Sequence, residues 1–190
     1  MKVIHYFSLI KFSHTVFALP FAAIGFFFAL TSTTNTFDWN LIVYVTLCMV
    51  FARSAAMAFN RYLDADIDAK NERTAQRKIP RGVISHTNAL VFTIITSVLF
   101  VFCTYFINTL CFYLSPVALF VIFVYSYTKR VTYICHFVLG LGLALAPIGA
   151  YLAVTGEFAL VPICFSCIVL TWSAGFDILY ALQDEEFDVH

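Results

Sequence analysis

The chain has 190 residues, of which 62% are hydrophobic and only 12% charged, and Phe alone fills 22 positions. That balance excludes an ordinary soluble domain and leaves a polytopic membrane protein. Lys plus Arg and Asp plus Glu are equal at 11 each, so the net charge gives no reason to expect a nucleic-acid partner.

Windows of about 20 apolar residues predict six transmembrane helices, near 12–31, 40–60, 88–108, 110–128, 132–153 and 158–180. The fold class expected is an all-α membrane bundle, with residues 1–190 forming a single transmembrane domain. The first span follows Lys2 and Lys11 and lacks a small-residue cleavage site, so it reads as a retained helix and not as a signal peptide. Apart from Arg53, every cation falls at the N-terminus or after the second and fourth spans: Lys2 and Lys11, then Arg61, Lys70, Arg73, Arg77, Lys78 and Arg81, then Lys129 and Arg130. The positive-inside rule makes those segments cytoplasmic, and six spans return the C-terminal segment to the same side.

Within the second span, Arg53 is a cation in hydrocarbon, which costs at least about 2.5 kcal/mol and marks a functional candidate. Positions 53, 57, 60, 64 and 68 follow one helical stripe, so Arg53 lies deeper on the face that carries Asn60. A carboxylate on a bound ring would be its natural partner; the alternative is a structural pairing inside the bundle. Asn60, Asp64 and Asp68 recur every four residues and wind slowly over roughly 12 Å of helix. Stacked carboxylates repel, and hard oxygen donors at this spacing suit Mg²⁺, which takes one or two carboxylates together with substrate phosphate. Asp66 lies off that stripe and reads as a solvated charge.

The segment after the second span carries five cations in 12 residues, Lys70, Arg73, Arg77, Lys78 and Arg81. Arg presents a planar fork to phosphate oxygens and Lys a compact charge. Arg73 and Arg77, one turn apart, are candidate diphosphate ligands, while Lys70, Lys78 and Arg81 fit equally well as charges that only hold the loop on its side. Lys129 joins Arg53, Asn60, Arg73 and Arg77 as a candidate substrate ligand.

Between the acidic motifs the polar signals are weaker. Cys164-x-x-Cys167 inside an apolar span reads as packing and not as a metal site. His14 and His136, near membrane boundaries, read as interfacial residues. Gly140, Gly142 and Gly149, with Pro147, read as points of close helix approach or kinking. After the last span come Asp177, Asp184 and Asp188, whose steps of seven and eleven residues put three carboxylates within a sector of roughly 40°. Tyr180, about 60° off that stripe, is placed to orient a carboxylate or a phosphate oxygen, although a Tyr there also suits an interfacial anchor.

Asn60-x-x-x-Asp64-x-x-x-Asp68, followed by Arg73-Thr74-x-x-Arg77 and Pro80-x-Gly82, resembles the first signature of the UbiA superfamily of intramembrane prenyltransferases. Asp177-x-x-Tyr180-Ala181-x-x-Asp184-x-x-x-Asp188 resembles the second. Ser13 to Ala22 resembles the first helix of bacterial members that prenylate 4-hydroxybenzoate or act in the menaquinone pathway. The resemblance implies a ring of nine helices around a central cavity. It therefore also implies that the last three have no counterpart in these six, and a wall lacking one third would open that cavity to lipid.

What the resemblance implies chemically is transfer of a polyprenyl group from its diphosphate to an aromatic acceptor, with Mg²⁺ as cofactor. Asn60, Asp64 and Asp68 on one side and Asp177, Asp184 and Asp188 on the other would hold the metal, with Asp64, Asp68, Asp184, Asp188 and Tyr180 as the catalytic set. An intramembrane cavity rich in Phe and Tyr would keep an allylic cation from water. The partners expected are a polyprenyl diphosphate, an aromatic acceptor and the lipid bilayer of a bacterial inner membrane. 4-Hydroxybenzoate is the favoured acceptor, with a naphthoate or futalosine-derived ring as the alternative. A transporter-like bundle would need its acids nearer the bilayer midplane, a phosphatidyltransferase would show a different aspartate motif, and a non-catalytic membrane fragment is the third class.

Overall fold

The computed structural model describes residues 6, 9–10, 12–33, 38–72 and 74–181. Among them are seven helices: α1 (Phe12–Ser32), α2 (Trp39–Leu63), α3 (Ala65–Lys70), α4 (His86–Ile107), α5 (Thr109–Thr128), α6 (Cys135–Thr155) and α7 (Leu160–Ala181). Five of these, α2 and α4 to α7, are long and apolar enough to cross a bilayer, and α1 is apolar over Phe17–Ser32. The six long helices match the six expected spans, with ends displaced by only a few residues. Large apolar side chains such as Phe102, Phe120 and Ile168 stand exposed on their outward faces. Hydrocarbon is the solvent that tolerates such a belt, because a helix satisfies its own backbone hydrogen bonds there.

Polar caps set where the helices begin. Asp38 accepts from the Asn40 amide at 2.9 Å to start α2, and Ser85 accepts from the Asn88 amide at 3.2 Å to start α4. Asn108 does more, since its Oδ1 accepts from the Cys111 amide at 2.8 Å while its Nδ2 donates to the Leu152 carbonyl at 2.8 Å. One side chain thus caps α5 and ties the α4–α5 turn to the end of α6. Gly156 closes α6 with φ +69°, a left-handed conformation that favours glycine.

Packing is closest between α2 and α4, between α6 and α7, and between α1 and α6. Small residues permit it. A Cβ on Gly25 would strike the backbone of Pro147, and one on Gly140 would strike the Leu170 carbonyl, so backbone meets backbone at both crossings. The close approach expected at Gly140 is therefore present. Gly149 differs, with open space where its side chain would be.

One expectation needs correction. The stripe through Asn60, Asp64 and Asp68 does not run along a single unbroken helix, because α2 ends at Leu63 and α3 starts at Ala65, with Asp64 between them at φ −84° and ψ 0°. The Asp64 amide still bonds the Asn60 carbonyl at 3.0 Å, and the Asp68 amide the Asp64 carbonyl at 2.7 Å. The break has a local cause: the Arg130 guanidinium bonds the Leu63 carbonyl and takes it out of the helical ladder.

Candidate active site

The polar end of α2 meets the turn after α5. Asp64, only 5% exposed, pairs with the Lys129 ammonium and with the Arg130 guanidinium at 3.2 Å. With its amide nitrogen turned toward Asp64, Asn60 donates to Oδ2 at 3.2 Å and accepts from Lys129 at 3.0 Å. A carboxylate buried this deeply is tolerated only with such partners.

Asp68 is equally buried. Its Oδ1 accepts from Arg77 at 2.5 Å, and Thr74 Oγ1 bonds the Asp68 carbonyl at 3.0 Å, which folds the basic loop back over α3. Arg61 lies 3.8 Å from the other oxygen, Oδ2, which is beyond hydrogen-bond reach. That Oδ2 is thus buried without a hydrogen-bond partner. An oxygen with open lone pairs beside a second carboxylate is what a divalent cation requires of its host.

Asp177, near the end of α7, is held differently. His136, in the first turn of α6, places Nδ1 2.8 Å from Asp177 Oδ2. Tyr125, in the last turn of α5, lies close enough to Arg53, Asp64 and Asp177 to interact electrostatically with all three. Asp64 and Asp177, one from each acidic motif, are thereby brought to one end of the bundle. Arg53 is half-buried one level deeper, and its Nε is buried with no hydrogen-bond partner.

The remaining candidates scatter. Asp66 points outward and is exposed, as its position off the stripe suggests. Tyr180 is exposed, with its ring 5.1 Å from that of Phe176. Lys70 and Arg81 are exposed and Lys78 is half-buried. Arg73, Asp184 and Asp188 lie outside the described residues, as does the side chain of His14. Among the described residues no three His, Cys, Asp or Glu side chains converge tightly enough to hold an ion by themselves.

Four residues of the site escaped the sequence reading. Arg61 and Arg130 were legible only as loop charges, Tyr125 only as one of many aromatics, and His136 only as an interfacial ring. Tyr125 carried one usable signal, its place one turn before Lys129 on the same helix face. Apart from the site, an apolar groove of about 170 Å³ opens between α1 and α2, lined by residues such as Leu19, Phe26, Val45 and Met49. It includes none of the candidate residues.

An all-helical membrane bundle with buried aspartates interleaved with Lys and Arg at one end defines the class: an intramembrane protein built to hold an anion and a cation together. The chain belongs to the UbiA prenyltransferase family, which it matches over residues 18–190. It is similar to the 4-hydroxybenzoate octaprenyltransferase of Aliivibrio fischeri (strain MJ11), with 34% identity over 152 residues that cover 80% of this chain and 53% of that protein. It is also similar to the 4-hydroxybenzoate octaprenyltransferase of Vibrio campbellii (strain ATCC BAA-1116), with 29% identity, 96% of this chain and 61% of that one. Among solved structures, the apo UbiA homolog from Aeropyrum pernix K1 superposes with a TM-score of 0.82 at 30% identity, covering 93% of this chain and 66% of that one. A UbiA homolog from Archaeoglobus fulgidus bound to GPP and Mg²⁺ shares the fold, with a TM-score of 0.75 at 23% identity over 97% of this chain and 65% of that one. The chain spans about half the length of the curated relatives it matches.

Proposed function

We propose that this protein transfers a polyprenyl group from polyprenyl diphosphate to an aromatic acceptor, 4-hydroxybenzoate, in a Mg²⁺-dependent reaction of quinone biosynthesis. The observation that carries this reading is the alternation of Asp64 and Asp68 with Lys129, Arg130, Arg77 and Arg61 at one end of the bundle. Four cations surround two carboxylates, so the site suits an anionic ligand that brings a counter-cation for the carboxylates. Relatives 34% identical that carry the name 4-hydroxybenzoate octaprenyltransferase support the acceptor.

Mg²⁺ fits the donors, which are hard oxygens including the unpartnered Oδ2 of Asp68. Asn60, Asp64 and Asp68 would hold it on one side and Asp177, with Asp184 and Asp188, on the other. A metal held there would supply positive charge to offset that of the diphosphate. Lys129, Arg77 and Arg73 grip the phosphate oxygens, and Tyr180 orients one of them. Deeper in the bundle, Arg53 pairs with the acceptor carboxylate, for which its unpartnered Nε provides the donor. Aromatic rings such as Phe59 and Phe123, whose centroids are 4.7 Å apart, would help to keep an allylic cation from water.

The cation distribution supports an inner-membrane protein whose N-terminus, 61–87 segment and 129–131 turn face the cytoplasm. The test is transfer itself. Membranes containing the protein, given radiolabelled polyprenyl diphosphate, 4-hydroxybenzoate and Mg²⁺, should form prenylated hydroxybenzoate that EDTA suppresses. Product formed equally well in EDTA would overturn the metal role. Product formed only with a naphthoate would reassign the acceptor.

A further inference from the structure

We propose that His136 is a positioning residue, one whose imidazole fixes the Asp177 carboxylate so that Oδ2 is occupied and Oδ1 stays free to face the metal and diphosphate. This rests on the functional reading above and adds to it a residue outside both acidic motifs. The contact is 2.8 Å from Nδ1 to Oδ2. An ionised carboxylate only accepts, so Nδ1 donates the proton.

The spacing of this pair is set by backbone. Gly140, one turn along α6 from His136, packs on the Leu170 carbonyl and lies against the Ala174 amide, two turns and one turn before Asp177 on α7. Imidazole and carboxylate are therefore presented by two helices locked at van der Waals contact. The ring has only two side-chain torsions, so holding the carboxylate this way costs little conformational freedom. Among the described ion pairs, Asp64 and Asp68 are met by Lys and Arg, whereas Asp177 is met by an imidazole. An Nδ1–H donor on Oδ2 fixes the direction of Asp177, as hydrogen bonds from outer partners orient metal-binding carboxylates.

The alternative is that the pair merely pins α6 to α7, and two variants separate the cases. His136→Phe keeps the ring and loses the donor. His136→Asn places an amide nitrogen near the position of Nδ1. The readout is Mn²⁺ binding to the purified protein in nanodiscs, followed by electron paramagnetic resonance, alongside the thermal midpoint. His136→Phe should weaken Mn²⁺ binding about tenfold, within the range known for outer partners of metal ligands, and His136→Asn should stay within about threefold of wild type. In the transfer assay the half-saturating Mg²⁺ concentration should rise with the Phe variant while the KM for 4-hydroxybenzoate stays put. Unchanged Mn²⁺ affinity in His136→Phe, or equal losses in the Phe and Asn variants, would overturn the positioning role while leaving the metal site intact. No Mn²⁺ binding by the wild type would instead bring down the functional reading and this inference with it.

Discussion

Asp64 and Asp68 sit at one side of the polar end and Asp177 at the other, and the protein holds them by opposite means. The first two are buried to 5% exposure and flanked by cations: Lys129 and Arg130 on Asp64, Arg77 and Arg61 on Asp68. Asp177 is about a third exposed and has a single imidazole donor. The first arrangement balances charge in a place where water is scarce, and its cost and its benefit are both electrostatic. The second fixes direction through one hydrogen bond. Asp177 and the pair Asp64 and Asp68 are therefore held in different ways, and substitutions should tell them apart.

The largest effect should come from Asp64→Ala, which leaves Lys129 and Arg130 without their buried counter-ion. Breaking one side of a buried pair costs about 3–5 kcal/mol, so the thermal midpoint should fall by many degrees and transfer should vanish. Asp177→Ala should also abolish transfer, yet cost much less stability, because its partner is an imidazole at a half-exposed position. Equal destabilisation by the two would erase the distinction between charge balance and direction.

Next comes Arg53→Ala. If its partner is the acceptor carboxylate, the lost charge-assisted contact is worth about 1.5–3 kcal/mol, and the KM for 4-hydroxybenzoate should rise roughly 10- to 150-fold while the KM for the prenyl diphosphate hardly moves. A loss of diphosphate affinity instead would place Arg53 among the phosphate ligands. Gly140→Ala should cost about 1–3 kcal/mol in stability, since its Cβ would meet the Leu170 carbonyl and push α6 from α7. Gly149→Ala, with open space at the same atom, should be neutral or slightly stabilising by denaturant midpoint. The smallest effect belongs to Asp66→Ala, exposed and off the stripe, which should stay within about 0.5 kcal/mol of wild type and keep its activity.

Much of this was legible along the chain, and the limit is one of range. Hydropathy marks the six long helices because each must satisfy its own backbone in lipid, a condition that acts residue by residue. The shared face of Arg53, Asn60 and Asp64 follows from helical geometry alone. The outward turn of Asp66 follows from the same geometry. The break at Asp64 did not follow, because it depends on Arg130, 67 residues away from the Leu63 carbonyl that it takes. The contact of His136 with Asp177 was not legible for the same reason. Nothing near it in sequence tells of Asp177, 41 residues on, and only the packing of Gly140 on α7 brings them together. Tyr125 likewise gains its place from three elements at once.

The central claim is that the interleaved carboxylates and cations form a single site for a metal and a prenyl diphosphate. Equilibrium binding of radiolabelled geranyl diphosphate to the protein in nanodiscs tests it most directly. With Mg²⁺ present the wild type should retain the ligand, and retention should fall to background in EDTA and in Asp64→Asn. Retention that is unchanged by EDTA and by Asp64→Asn would show that the carboxylates hold no metal for the diphosphate, and would contradict the account.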